Sequence, residues 1–242
     1  MKQSVTAYRQ GMRDAIPIGA GYLAVSFTLG IAAKKTGIGT MAATIMSLTN
    51  NTSAGQFAAL SMIASSASYL ELAASQFIIN IRYLLMSFAL SQKLDPSLPL
   101  WKRMLLAYGV TDEIFGISIR VEGTLNPFYT YGAISIAAPG WALGTLLGSI
   151  AGDILPVMIL NALGVALYGM FLAVVIPQAK KDRTIAILVI LSFVISLVCS
   201  KLPFIGSLSS GSRMILLTVL ISLFAAIFFP VADEERKGGH ES

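Results

Sequence analysis

Apolar runs of bilayer length, cut by short charged connections, set the pattern of this chain. A spanning helix needs about 20 mostly apolar residues, and the pattern predicts seven to eight of them. The first covers roughly residues 15–33, is rich in small residues and is closed by Lys34 and Lys35. The second region, about 38–68, reads Thr49-Asn50-Asn51-Thr52-Ser53-Ala54-Gly55-Gln56-Phe57 in its middle. Two Asn, several hydroxyls and a Gly offer the backbone competing hydrogen bonds, so this region is expected to be broken or re-entrant. Further spans are predicted over about 69–90, 104–119 and 128–151, then a sixth ending near Pro177, then 184–200 and 214–229. The fourth is short and holds Thr111-Asp112-Glu113 near its centre. The expected architecture is an all-α integral membrane protein, with one transmembrane domain over residues 1–232 and a polar tail over 233–242.

The fifth run carries Gly140, Gly144, Gly148 and Gly152 at a strict spacing of four. Residues four apart share a helix face, so these glycines make a smooth stripe along which a second backbone can approach closely. A short echo links Leu29-Gly30-Ile31-Ala32-Ala33 to Leu147-Gly148-Ser149-Ile150-Ala151, and 55–60 to 169–174, in the same order. It makes a two-fold internal repeat a candidate, as in many transporters.

Charge narrows the function classes. Only 12% of the 242 residues are charged, and the mean hydropathy is +0.76. A soluble domain carries about 25% charged residues, so lipid must cover much of this surface. The net charge of +5 comes from basic residues in the connections. That is a membrane-orientation signal and no nucleic-acid footprint. Eight full spans starting in the cytoplasm would put nine Lys and Arg inside and seven outside, with Arg82 in the membrane. A re-entrant second region would reverse every later loop. The lone Cys199 and the lone His240, in the tail, leave no disulfide framework, thiol cluster, His-based metal site or Ser-His-Asp triad. No metal, no cofactor and no enzymatic activity is expected.

Polar groups in apolar runs carry the chemistry. A centred Arg costs about 2.5–3.5 kcal/mol on insertion scales, so Arg82 is expected to face the interior and find a carboxylate, Asp112 before Glu113. Adjacent helix positions lie about 100° apart, so one acid would pair with Arg82 while the other meets water or substrate. The break offers freed N–H groups at a half-helix start, an anion site.

Ser53-Ala54-Gly55-Gln56-Phe57, Asn80-Ile81-Arg82-Tyr83, Thr111-Asp112-Glu113 and the glycine-rich span bearing Trp141, in this order, resemble the AzlC-type family of branched-chain amino acid exporters. The resemblance covers nearly the whole chain. Tyr83 stands where a His commonly follows the Arg, which leaves a histidine proton relay there without its group, and Asn50-Asn51 is unusually polar for the family. The resemblance implies the large subunit of a secondary exporter driven by the proton gradient in the bacterial cytoplasmic (inner) membrane. It also implies a small AzlD-type membrane subunit as partner, and valine, leucine, isoleucine and methionine as candidate substrates.

Asn50, Asn51, Ser53, Gly55, Gln56, Phe57, Asn80 and Phe115 are the expected substrate-binding residues. The carboxylate would meet the N–H groups of 53–55, the ammonium would meet the acid not held by Arg82, and Phe57, Met62 and Phe115 would line the apolar arm. Protonation of that free acid would release the ammonium. The alternative is an ion or small-solute channel, which would want repeated polar rings along a pore. No P-loop is present.

Overall fold

The computed structural model describes residues 2–156, 182–202 and 210–229, with isolated positions between 157 and 181. Ten helices are described, and there is no strand among the described residues: α1 (Lys2–Asp14), α2 (Ile16–Lys35), α3 (Thr40–Thr49), α4 (Ser53–Ala64), α5 (Tyr69–Gln92), α6 (Leu100–Tyr108), α7 (Asp112–Ile119), α8 (Pro127–Ile154), α9 (Arg183–Lys201) and α10 (Ser210–Phe228). The chain divides into two compact units, Met1–Met170 and Phe171–Ser242, where the sequence pattern suggested one domain. In the second unit α9 and α10 pack on each other. The sixth predicted span, the second half of the echo and the tail lie outside the described residues.

Among the described residues, four helices are long and apolar enough to cross a membrane: α2, α5, α8 and α9. They match predicted runs to within a few residues. α1 enters α2 through Ala15, and Pro17 in the first turn of α2 lacks the N–H that would continue the ladder unbroken.

α2 and α8 form the backbone of the first unit and run parallel. Gly140 lies against Gly19, Gly144 against Leu23, Gly148 against Phe27 and Gly152 against Lys34. A Cβ on Gly140 would sit 2.7 Å from the Gly19 carbonyl oxygen, and Cβ atoms on Gly144 and Gly148 would collide with the carbonyls of Leu23 and Phe27. An ion pair of 2.7 Å between Lys34 and Asp153 closes the far end of the seam.

The second region is broken at 50–52, and it turns back. α3 descends along α8: Ser149 bonds Thr40 at 2.9 Å and Thr145 bonds Ser47 at 2.7 Å. α4 then climbs beside α2: Gln56 meets Trp141, while Leu60 packs with Leu29, Ala33 and Ala43. α5 returns antiparallel to α4, pairing Gln76 with Gly55 and Asn80 with Thr52.

The fourth predicted span is a correction. Residues 104–119 are not one helix; the chain breaks after Tyr108 and restarts at Asp112. α6 rises, with Lys102 beside Tyr131 and Gly109 against Ile134. α7 descends, with Ile114 beside Ala133 and Ala137 and Ser118 bonded to Thr130. Thr111 caps the second helix, its Oγ1 accepting from the Ile114 N–H at 3.3 Å. Two acids follow in the first turn, where the positive dipole end favours them. In the first unit, α2, α5 and α8 are long and apolar enough to cross a membrane, and α3–α4 and α6–α7 form two helical hairpins whose tips meet.

Candidate functional site

The two hairpin tips meet at mid-depth. The Tyr108 hydroxyl donates to the Leu48 carbonyl, tying the end of α6 to the end of α3. Both restarting helices are built alike: a Thr in extended conformation, with its hydroxyl accepting from the N–H three residues on. Thr52 Oγ1 takes the Gly55 N–H at 3.3 Å and donates to Asn80 Oδ1 at 2.8 Å. Asn80 Nδ2 donates to Gln76 Oε1 at 3.3 Å, and Gln76 Nε2 donates to the Gly55 carbonyl at 2.8 Å. This closed loop of bonds pins the start of α4 to α5. A Cβ on Gly55 would sit 2.7 Å from Gln76 Oε1, so the loop also requires glycine there.

At the second tip, Arg82 Nη2 pairs with Asp112 Oδ2 at 3.0 Å, and the guanidinium lies 5.2 Å from the centre of the Tyr83 ring. Glu113 points elsewhere: its Oε2 is 2.5 Å from the Tyr22 hydroxyl, which is 2.6 Å from Thr111 Oγ1. One phenolic proton serves one acceptor, so the carboxylate takes it and the Thr111 hydroxyl donates back to the phenol. The Arg82 and Asp112 side chains are 46% and 41% exposed, and Glu113 is also exposed. Charged groups within membrane spans are commonly found facing a bundle interior or a water-filled cavity and mark solute or ion pathways.

A buried polar line continues from the second tip into α8. Tyr22 packs edge-on to Trp141, with ring centres 5.5 Å apart. Trp141 Nε1 donates to Gln56 Oε1 at 2.5 Å, Gln56 Nε2 donates to Ser47 Oγ at 3.1 Å, and Ser47 shares a proton with Thr145. Gln56 is buried and bonded at both ends of its amide, so it ties α4 to α3 and α8. Phe57 packs with Leu29, Leu60 and Trp141, and Phe115 with Leu90, Leu106 and Val110. Met62 is fully buried. Phe57 and Phe115, expected to share one apolar pocket with Met62, therefore belong to separate packing clusters. Asn50 and Asn51 form the first tip, and Ser53 opens the helix beside it.

Sequence reading missed Tyr22, Tyr108 and the second break. Gly109 followed by Thr111-Asp112-Glu113 is a helix restart signature, and it was legible. A Tyr inside a small-residue span gave no comparable signal.

Comparison with known proteins adds the lineage. The profile of the family described as AzlC protein matches residues 17–155, which span the tips, α2, α5 and α8. A membrane protein of Archaeoglobus fulgidus is 30% identical over 175 residues, covering 72% of this chain and 76% of its own. The inner membrane protein YgaZ of Escherichia coli is 23% identical over 188 residues, covering 74% and 76%. A membrane protein of Helicobacter pylori is 24% identical over 156 residues, covering 63% and 68%. No solved structure matches this chain.

Proposed function

Since the chain belongs to the AzlC family, and is a multi-pass membrane protein by its helices and its relatives, we propose that it is the large subunit of a secondary exporter of branched-chain amino acids. Its partner in this reading is a small AzlD-type membrane subunit, and its setting is the bacterial cytoplasmic membrane, as the name of the YgaZ relative suggests. The observation that carries the reading is the meeting of two opposed helix breaks around polar side chains. Broken helices that expose backbone donors at mid-membrane are how secondary transporters hold a charged solute. Valine, leucine, isoleucine and methionine all present an ammonium and a carboxylate to such a site.

Proton coupling is part of the proposal. Glu113 shares its carboxylate with the Tyr22 hydroxyl, and Asp112 with Arg82. A proton arriving at Glu113 removes the charge that the phenol stabilises and loosens the contact between α7 and α2. That links protonation to movement of a hairpin, with no ATP and no enzymatic step. Counterflow of labelled valine into liposomes, with and without an AzlD-type subunit, tests the reading over a pH series. Saturable exchange that accelerates with a proton gradient supports it. An ohmic current without saturable exchange assigns a channel instead.

A further inference from the structure

We infer that Asn51 reads the substrate's head group, its side-chain amide bonding the carboxylate and ammonium of an amino acid zwitterion. The inference rests on the transport reading and deepens it.

Among the described residues, two side chains bury polar atoms that have no hydrogen-bond partner, Asn51 and Ser75. They differ in what their own backbone can do for them. Ser75 lies inside α5, where a hydroxyl can turn to the carbonyl four residues back. Asn51 could offer its Oδ1 to the N–H two residues on, but no such bond forms, and no local acceptor answers its Nδ2. It sits at the hairpin tip between Asn50 (φ −138, ψ 92) and Thr52 (φ −121, ψ 114), in extended chain. Both Nδ2 and Oδ1 are buried and unbonded. A buried primary amide without partners is costly and uncommon in a native fold, so a partner from outside the chain is the economical explanation.

The chemistry of that partner follows from the amide. Nδ2 needs an acceptor and Oδ1 needs a donor, close together. An α-amino acid offers both on adjacent groups. The N–H groups of Ser53 and Ala54, in the first turn of α4, have no intrahelical acceptor and add to the carboxylate side. The Gly55 N–H does not join them, because Thr52 already takes it. The acids are also committed, Asp112 to Arg82 and Glu113 to Tyr22. The recognition of the ammonium thus shifts from a carboxylate to the amide oxygen.

The assignment separates Asn51 from the neighbouring amide of Gln56, which is bonded at both its nitrogen and its oxygen. Full-length protein in nanodiscs is titrated with valine, isovalerate (no amino group) and isobutylamine (no carboxylate), and its thermal unfolding is followed without ligand. Asn51→Ala and Asn51→Leu are expected to weaken valine binding about tenfold or more, with an unliganded melting temperature equal to or above wild type. Isovalerate and isobutylamine should each bind wild type more weakly than valine does. Gln56→Ala, by contrast, should lower the unliganded melting temperature. If Asn51→Ala lowers it as Gln56→Ala does, or if both Asn51 variants bind valine as wild type does, the assignment is wrong. If wild type neither binds nor exchanges any of the four amino acids, the transport reading itself fails and the assignment falls with it.

Discussion

At the residue scale, Trp141 joins the first hairpin to the long helix that supports it, and reaches the second through Tyr22. Its ring meets Tyr22, and its N–H meets Gln56. Trp141→Phe keeps most of the packing and removes the donor, leaving the buried Gln56 Oε1 unpaired. An unpaired buried group costs about 1–3 kcal/mol. Trp141→Phe is therefore expected to lose that much stability in reversible denaturation, with Gln56→Leu in the Phe background recovering part of it. No loss would remove this bond from the account of the fold. The Arg82–Asp112 pair acts differently, being half exposed, and its removal should show in transport more than in stability. Arg82→Ala should abolish valine counterflow, while the exchanged pair, Arg82→Asp with Asp112→Arg, should restore monodisperse protein. Full counterflow in Arg82→Ala would mean that the pair is dispensable. The sequence already made Arg82 and its acids visible, because charge in an apolar run is expensive. It could not show that the Gln56 amide is bonded at both ends and the Asn51 amide at neither, since both read as polar residues in the same break.

At the element scale, the short helices explain why sequence reading split the two hairpins so unequally. α3, α4, α6 and α7 have 10, 12, 9 and 8 residues, which at 1.5 Å per residue is about half a hydrocarbon core each. Asn50-Asn51-Thr52 announces the first break by its polarity. The second break sits at Tyr108-Gly109-Val110, where no polar side chain interrupts the apolar run until the Thr111 cap. Gly109 is needed there because a Cβ would collide with Ile134. The glycine stripe was legible as a stripe, but its members are unequal. Gly144 and Gly148 face backbone carbonyls, which cannot move aside, whereas Gly152 faces the flexible Lys34 side chain at 3.2 Å. Overpacking typically costs about 1–3 kcal/mol. Gly144→Ala and Gly148→Ala should lose at least that in stability, and Gly152→Ala should stay close to wild type. Equal behaviour of all three would show that α2 can shift to relieve the contact.

At the scale of the whole first unit, reading the two hairpins as re-entrant would change the path of the chain through the bilayer. α2 and α8 are parallel, which requires an odd number of crossings between them. α5 supplies one, and each hairpin enters and leaves on the same side. Gly30 also meets Gly148 across this seam, the positions that the echo aligns, and a repeat with its axis along the membrane normal would place them so. The arrangement redistributes the charges. Lys2, Arg9, Arg13, Lys93, Lys102, Arg103 and Arg120 fall on one side, and Lys34 and Lys35 on the other, so the bias is seven to two. Over the same nine residues, eight full spans would give four to five, too even to orient a protein, whereas seven to two favours the first group in the cytoplasm. The two arrangements separate at particular positions. Both put Gly39 outside the cytoplasm and Thr124 inside. They disagree over Ser65, between α4 and α5, and Ser97, between α5 and α6. Single cysteines at these four sites, in a Cys199→Ala background, can be labelled with a membrane-impermeant maleimide on intact cells and on inverted vesicles. The hairpin path expects Gly39→Cys and Ser65→Cys to react from the cell exterior, and Ser97→Cys and Thr124→Cys only in inverted vesicles. Exterior labelling of Ser97→Cys together with protection of Ser65→Cys would restore full crossings to both broken regions. It would also leave the meeting of the hairpin tips, and the site built on it, without a basis.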